Sequence, residues 1–244
     1  MWKNARSILF FCTLFACSGV YGDTSSWKLL ENQDGLKIYQ REVSDSPIVA
    51  FKGEGVLDAP LDRVAGVMLD HARAKEWVDR LEDVHRIRML GPEEYVEYSH
   101  IGTPFVMKDR DFVIHTQLKL HPETGTFIID SHSVVDPDVP ENSKRIRGEI
   151  IHAQFTLTAL EHGTKTLIVA ELHADPKGGV PKWIVNLFQR SWPRHAFRGL
   201  QKQLAKDDIT LPEKFRDLFQ RVALMLKGAH VEAVQLESGT GNKP

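Results

Sequence analysis

Past residue 17 the 244-residue chain contains no cysteine, and the only two, Cys12 and Cys17, lie close to its start. A disulfide framework and a thiolate metal site are therefore excluded for the bulk of the chain. There is no basic tract, and 31 Lys and Arg against 33 Asp and Glu give a net charge of −2, so the electrostatic footprint of a nucleic-acid binder is missing. Eleven histidines are present, but no two stand at the i, i+4 spacing of a helical metal site. A Gly-x-Ser-x-Gly nucleophile turn is absent. Gly53-Glu54-Gly55 lacks the third glycine of a dinucleotide loop, which leaves a bulge or close packing as the use for these glycines. No repeat and no low-complexity block occurs. The sequence thus predicts no metal, no cofactor and no catalytic residue.

What is present reads as one large domain with short appendages. Hydrophobic residues make up 42% of the chain and charged residues 26%, enough to build a sizeable core. Residues 1–22 have the form of a secretory signal peptide. Lys3 and Arg6 precede an apolar run at 8–16, which is too short to span a bilayer, and Ser18, Gly19 and Gly22 follow. Cleavage after Gly22 would leave no cysteine and 29 basic residues against 33 acidic, a charge of −4. Leu14-Phe15-Ala16-Cys17 also resembles a lipoprotein cleavage box, which would make Cys17 a lipidation site. Either way the expected location is the periplasm or the exterior. Residues 23–210 form the expected domain, 211–227 a C-terminal amphipathic helix through Phe215, Leu218, Phe219, Val222 and Leu226, and 228–244 a disordered tail.

Within the domain the periodicities give an order of elements. Strands are expected at 36–41 and 48–57, then a helix after Asp58-Ala59-Pro60 and a short second helix at 72–78 carrying Trp77. Strands follow at about 82–90, 93–101, 108–121, 125–135, 144–158 and 164–174, joined by turns, which implies an antiparallel meander. The loop 136–143, with two prolines, should project. Residues 180–204 then form a long helix. Val180, Trp183, Ile184, Leu187 and Phe188 make an apolar stripe continued by Trp192, Ala196, Leu200 and Leu204, and Pro193 predicts a kink. The fold class is α+β, with the last helix covering a large antiparallel sheet. Whether the helix closes on solid core or on a cavity stays open at this point.

One residue stands out on the strands. Alternation from Lys108 aligns Arg110 with Phe112 and Ile114, which places a guanidinium on an apolar face, with Glu97 on the preceding strand as a candidate partner sharing a face with Ser99. The alternative is a strand-end arginine that snorkels to solvent.

Asp34-Gly35-Leu36-Lys37-Ile38-Tyr39, Phe51-Lys52-Gly53-Glu54-Gly55, Trp77, Lys108-Asp109-Arg110-Asp111-Phe112-Val113 and Gly178-Gly179-Val180-Pro181-Lys182-Trp183, in this order, resemble the START family of steroidogenic-acute-regulatory-related lipid-transfer domains over about residues 27–206. The resemblance implies a helix-grip fold, a curved antiparallel sheet wrapped around the long C-terminal helix with an internal tunnel for one lipid or sterol-like ligand, and binding or transfer in place of catalysis. It implies transient membrane contact and no nucleic acid. It also makes Arg110 a ligand contact, with Phe112 beside it. The acid that accompanies the arginine in some sterol-binding members would fall at Ser99 and not at Glu97. Trp183, Leu187 and Trp192 are the expected lid contacts, and the 136–143 loop would match a mobile loop near the entrance. The same fold also hosts cyclases and hydrolases, and a ligand-gated interaction module is a further alternative.

Overall fold

The structure, a computed structural model, describes residues 26–103, 107–213, 215–217, 219, 220 and 224. The leader at 1–22, the tail at 228–244 and part of the 211–227 helix lie outside the described residues. Of that helix, Phe215 and Phe219 are buried, and the Phe219 ring meets Phe127 edge-on at 5.3 Å.

The chain opens with an antiparallel pair, β1 (Lys28–Gln33) and β2 (Leu36–Val43), turned at Asp34 and Gly35, whose φ values of 53° and 74° fit a tight hairpin. Neither face of β1 is buried, so it carries no alternation, and the sequence alone does not mark it as a strand. Next come β3 (Ser46–Leu57), α1 (Leu61–Leu69) and a 3₁₀ segment (His71–Glu76) where the second short helix was expected. After these follow β4 (Leu81–Gly91), β5 (Glu94–Ile101), β6 (Arg110–His121), β7 (Thr126–Ser133), β8 (Ile146–Arg147), β9 (Glu149–Leu160), β10 (Lys165–Asp175) and α2 (Lys182–Leu204).

The strands join in the order β1-β2-β3-β10-β9-β7-β6-β5-β4, antiparallel throughout, with β8 pairing parallel to the start of β6 where β7 has ended. The strand expected at 144–158 is thus two. β8 pairs with β6 while β9 pairs with β7 and β10, and Gly148 stands at the change of partner, where a Cβ would lie 2.3 Å from the Phe112 ring. β3 and β10 meet in mid-sheet, so the two ends of the domain close on each other, and Ile38, Val64, Phe127, Leu157, Phe197 and Leu200 fill the space between the sheet and the helices.

α2 runs unbroken through Pro193, and the sheet makes room for it. A Cβ on Gly53 would come within 2.7 Å of Pro193, and one on Gly55 within 2.6 Å of Phe197, so both glycines are close-packing positions. The gap left between this half of the helix and the sheet is about 10 Å³, at most one water.

The first half of α2 departs from the expected stripe. Val185 is its buried residue, while Trp183, Leu187 and Phe188 are 69%, 60% and 46% exposed. The side facing the sheet is the polar one. Pairing of β3 with β10 stops at Phe51 and Leu172, and side chains of the helix take the backbone groups beyond. Val49 N–H donates to Asn186 Oδ1 at 3.2 Å, and Gln189 Nε2 donates to the Ala174 carbonyl at 2.8 Å. Lys182 adds an ion pair with Asp175.

Gly199 packs against the connection from the 3₁₀ segment to β4, since a Cβ there would lie 2.2 Å from the Trp77 carbonyl oxygen, a backbone atom that no rotamer change can move. Helix propensity favours Gly199→Ala by up to about 1 kcal/mol. Overpacking costs about 1–3 kcal/mol. A net loss of stability in chemical denaturation is the expected outcome.

Candidate functional site

The β5–β6 register pairs Ile101 with Arg110, Ser99 with Phe112, Glu97 with Ile114 and Tyr95 with Thr116. These residues therefore share one face, and Tyr95 belongs to the core beneath the helices, so this face is the concave one. Toward the Phe112 end its floor is partly exposed at Phe112, Ser131, Ser133, Phe155 and Leu172. Phe155 marks a boundary. Its ring stands 5.9 Å from that of Trp192, with the packed half of α2 on one side and the half held by Asn186 and Gln189 on the other.

Arg110 is 4% exposed at the edge of this floor. Nε donates to the Pro176 carbonyl at 3.2 Å, NH1 to the Lys108 carbonyl at 2.5 Å and NH2 to the Lys177 carbonyl at 3.5 Å. Gly178 lies over the guanidinium, where a Cβ would sit 3.4 Å from NH2. The guanidinium is thus fastened to the loop that leads into α2. No carboxylate forms an ion pair with it among the described residues. Burial pulls its pKa below the ordinary value, opposed by the charge of Asp109, but an arginine remains protonated at neutral pH. A guanidinium has five N–H donors, and three carbonyls satisfy only part of that set.

Glu97 does not pair with Arg110. It meets His71, from the 3₁₀ segment, with Oε2 2.5 Å from Nε2. An ionised carboxylate only accepts, so Nε2 carries the proton and donates. His71 Nδ1 lies 3.2 Å from both Arg86 NH2 and the Leu69 carbonyl, and its ring stands edge-on to Tyr95 at 5.6 Å. Burial, reinforced by the nearby Glu97 charge, pushes the Tyr95 phenol well above its usual value and keeps it protonated. Next to it, the Thr116 and Ser131 hydroxyls are 2.9 Å apart. Ser99 is buried at 8%.

Of the seven candidates, Arg110, Phe112, Glu97 and Ser99 come together on the concave face, and Trp192 reaches it through Phe155. Trp183 and Leu187 do not. At 100° per residue each lies about 160° around the helix from buried Val185, on its outer side. The lid-contact expectation for these two fails because the polar row of α2, and not its apolar stripe, meets the strand ends.

The 136–143 loop is likewise placed elsewhere. Val134 and Val139 pack on Val96, Tyr98 and Val113, the opposite face of the sheet from Arg110. Arg88 holds buried Asp136 at 2.6 Å, and Arg147 bonds Asp111 and the Val139 carbonyl. His71 had no sequence signal, since a lone histidine 26 residues from its partner has no pattern. Among the described residues no cluster of three or more His, Cys, Asp or Glu could hold a metal, and no helix is long and apolar enough to cross a membrane.

Replacing Arg110 with leucine leaves the Lys108, Pro176 and Lys177 carbonyls without their donor, at about 1–3 kcal/mol for buried groups. The expected result is a folded protein with faster amide exchange at Gly178 and Gly179. Global unfolding in a thermal melt would instead make Arg110 a support of the whole fold.

The START domain model matches residues 16–204. A Pseudomonas aeruginosa protein described as uncharacterised is 26% identical over 205 residues, 82% of this chain and 99% of its own. Bovine phosphatidylcholine transfer protein is 29% identical over 166 residues, covering 66% and 76%. Among solved structures, a STAR-related lipid transfer protein from Xanthomonas axonopodis superposes with a TM-score of 0.64 at 25% identity, over 74% of this chain and 99% of that one. Human STARD10 gives 0.69 at 21% identity, over 83% and 81%. With an antiparallel sheet gripping a long C-terminal helix and a family match over most of its length, the chain belongs to the START domain family.

Proposed function

We propose that this protein is an exported carrier that holds one hydrophobic ligand, a lipid or sterol-like molecule, between the concave sheet and α2. The observation that carries the reading is the combination at one end of that face: a buried guanidinium without a carboxylate partner among the described residues, beside a floor of partly exposed apolar residues around Phe112 and Leu172. The bovine relative's name, a phosphatidylcholine transfer protein, supports the same class of cargo. Each CH₂ removed from water recovers about 0.8 kcal/mol, so an acyl chain or ring system supplies the affinity. Arg110 sets its orientation.

Loading requires the first half of α2 to lift. That half is held chiefly by Val185 and by the polar contacts of Asn186, Gln189 and Lys182, which water can replace at little cost. Gly178 and Gly179, with φ of 77° and 71°, supply a hinge, and the second half stays seated on Gly53 and Gly55. The exposed Trp183, Leu187 and Phe188, flanked by Lys182 and exposed Arg190, form an apolar and basic ridge suited to a membrane interface, where the carrier meets its donor and acceptor. Export rests on residues 1–22, and retention at a membrane through Cys17 is its lipidated variant.

Transfer of fluorescent phosphatidylcholine between donor and acceptor vesicles tests this reading. The mature chain should accelerate exchange, and Trp183→Ala with Leu187→Ala should slow it about tenfold while the protein still retains its ligand in solution. Exchange no faster than the spontaneous rate would count against a carrier, and an unchanged rate in the double variant would remove the ridge from the mechanism.

A further inference from the structure

Four histidines fall in one row on the face of the sheet turned away from Arg110. His115 on β6 alternates with Ile114 and Thr116 of the concave face, and it pairs with His132 on β7. The β7–β9 register, carried one step past Ser131 and Ala153, brings His132 beside His152, and His152 pairs with His173 on β10. His173 is buried and lies 3.1 Å from Ser46 Oγ, which commits it to the β2–β3 turn. His115 and His132 stand together, with ring centroids 4.9 Å apart and planes at 60°.

One nitrogen of this pair is prepared and unused. Glu94 Oε1 lies 2.6 Å from His115 Nε2 and also accepts from Gln117 Nε2 at 3.2 Å. The two bonds, His115 first, hold the Glu94 carboxyl below the usual carboxylate range, so it is ionised, it only accepts, and the His115 proton sits on Nε2. Nδ1 is then a bare lone pair. It is shut off from solvent and has no hydrogen-bond partner among the described residues. The two ring nitrogens point away from each other, so Nδ1 is turned away from Glu94 on β5, and β7 with His132 borders β6 on the side opposite β5. A histidine whose N–H is held by a carboxylate while its other nitrogen is bare is the arrangement of a metal ligand with its outer support.

We propose that His115 Nδ1 and His132 hold a divalent late transition-metal ion, Cu²⁺ or Zn²⁺, on the outer face of the sheet, with water in the remaining positions. Two imidazoles that share one ion through nitrogens about 2.0–2.1 Å from it place their ring centroids about 4.5–5 Å apart, the spacing already present here. A turn of the exposed His132 side chain admits the ion. Imidazole nitrogen selects Cu²⁺ and Zn²⁺ over Mg²⁺ and Ca²⁺, which take oxygen ligands. Asp130, two residues before His132 on the same face, is held by Lys119, and no three His, Cys, Asp or Glu converge among the described residues, so the protein supplies two ligands. Glu94 is a positioning residue. The site lies across the sheet from the concave floor and does not rest on the carrier reading.

Cu²⁺ titration of the chain from residue 23 onward, followed by calorimetry and by electron paramagnetic resonance, tests the site. The first equivalent should fill one site per chain with a signal split by two imidazole nitrogens, and excess Mg²⁺ should not displace it. Glu94→Leu should weaken binding about tenfold while both nitrogens remain in the signal, the weight of an outer carboxylate. His132→Ala removes a direct ligand and should cost more than about tenfold and abolish the two-nitrogen signal. Because His132 is exposed, that loss is not one of folding. His195→Ala, at an exposed histidine of α2, should change nothing. Binding that weakens equally in His195→Ala and His132→Ala is adventitious binding to surface histidines and overturns the proposal, as does binding unchanged in His132→Ala or no saturable binding of Cu²⁺ or Zn²⁺.

Discussion

A sheet of this width cannot be covered by one helix. Nine strands in sequence at about 4.8 Å spacing span roughly 38 Å, while a helix with its side chains is about 10–12 Å across. α2 settles over β3 and its neighbours, where two glycines admit Pro193 and Phe197, and α1 shields a further part. What remains is the stretch of concave face from Phe155 and Leu172 toward Phe112 and Arg110, apolar enough to need cover and only partly covered. The cover proposed for it is a bound hydrophobic molecule.

The same constraint divides α2 into two halves with different attachments. The half beyond Trp192 is packed against the sheet almost without space, and its removal would expose core. The half before it relies mainly on hydrogen bonds to strand ends, which exchange with water at small net cost. Packing therefore anchors one end of the helix and leaves the other as the part that can open. Arg110 joins the first half of α2 to the floor. Its bonds to Pro176 and Lys177 tie the loop before α2 to β6, so any anionic group that reaches the guanidinium touches the helix hinge as well.

Much of this was legible in the sequence, for identifiable reasons. Strand alternation placed Arg110, Phe112, Glu97 and Ser99 on one face, because a period of two leaves no other choice once the strands pair without a bulge. The close-packing glycines of β3 were visible as glycines out of place in a strand. The burial of α2 was not, because helical periodicity identifies an apolar stripe without saying what it meets. Here the ends of β3 and β10 offered unpaired backbone groups, and Asn186 and Gln189 satisfied them, turning Trp183 and Leu187 outward. The 136–143 loop was misplaced for a similar reason. Its anchor is the buried Asp136 with Arg88, a pair separated by 48 residues. The His71–Glu97 contact has no local pattern at all.

Native mass spectrometry of the chain from residue 23 onward, purified after gentle exposure to a lipid mixture, addresses the central claim most directly. An uncovered concave floor that requires a guest predicts a one-to-one complex whose added mass is a single amphiphile. A chain that flies only at its own mass after every such exposure, with its fold intact, would mean that the floor is covered by the protein itself and would contradict the account.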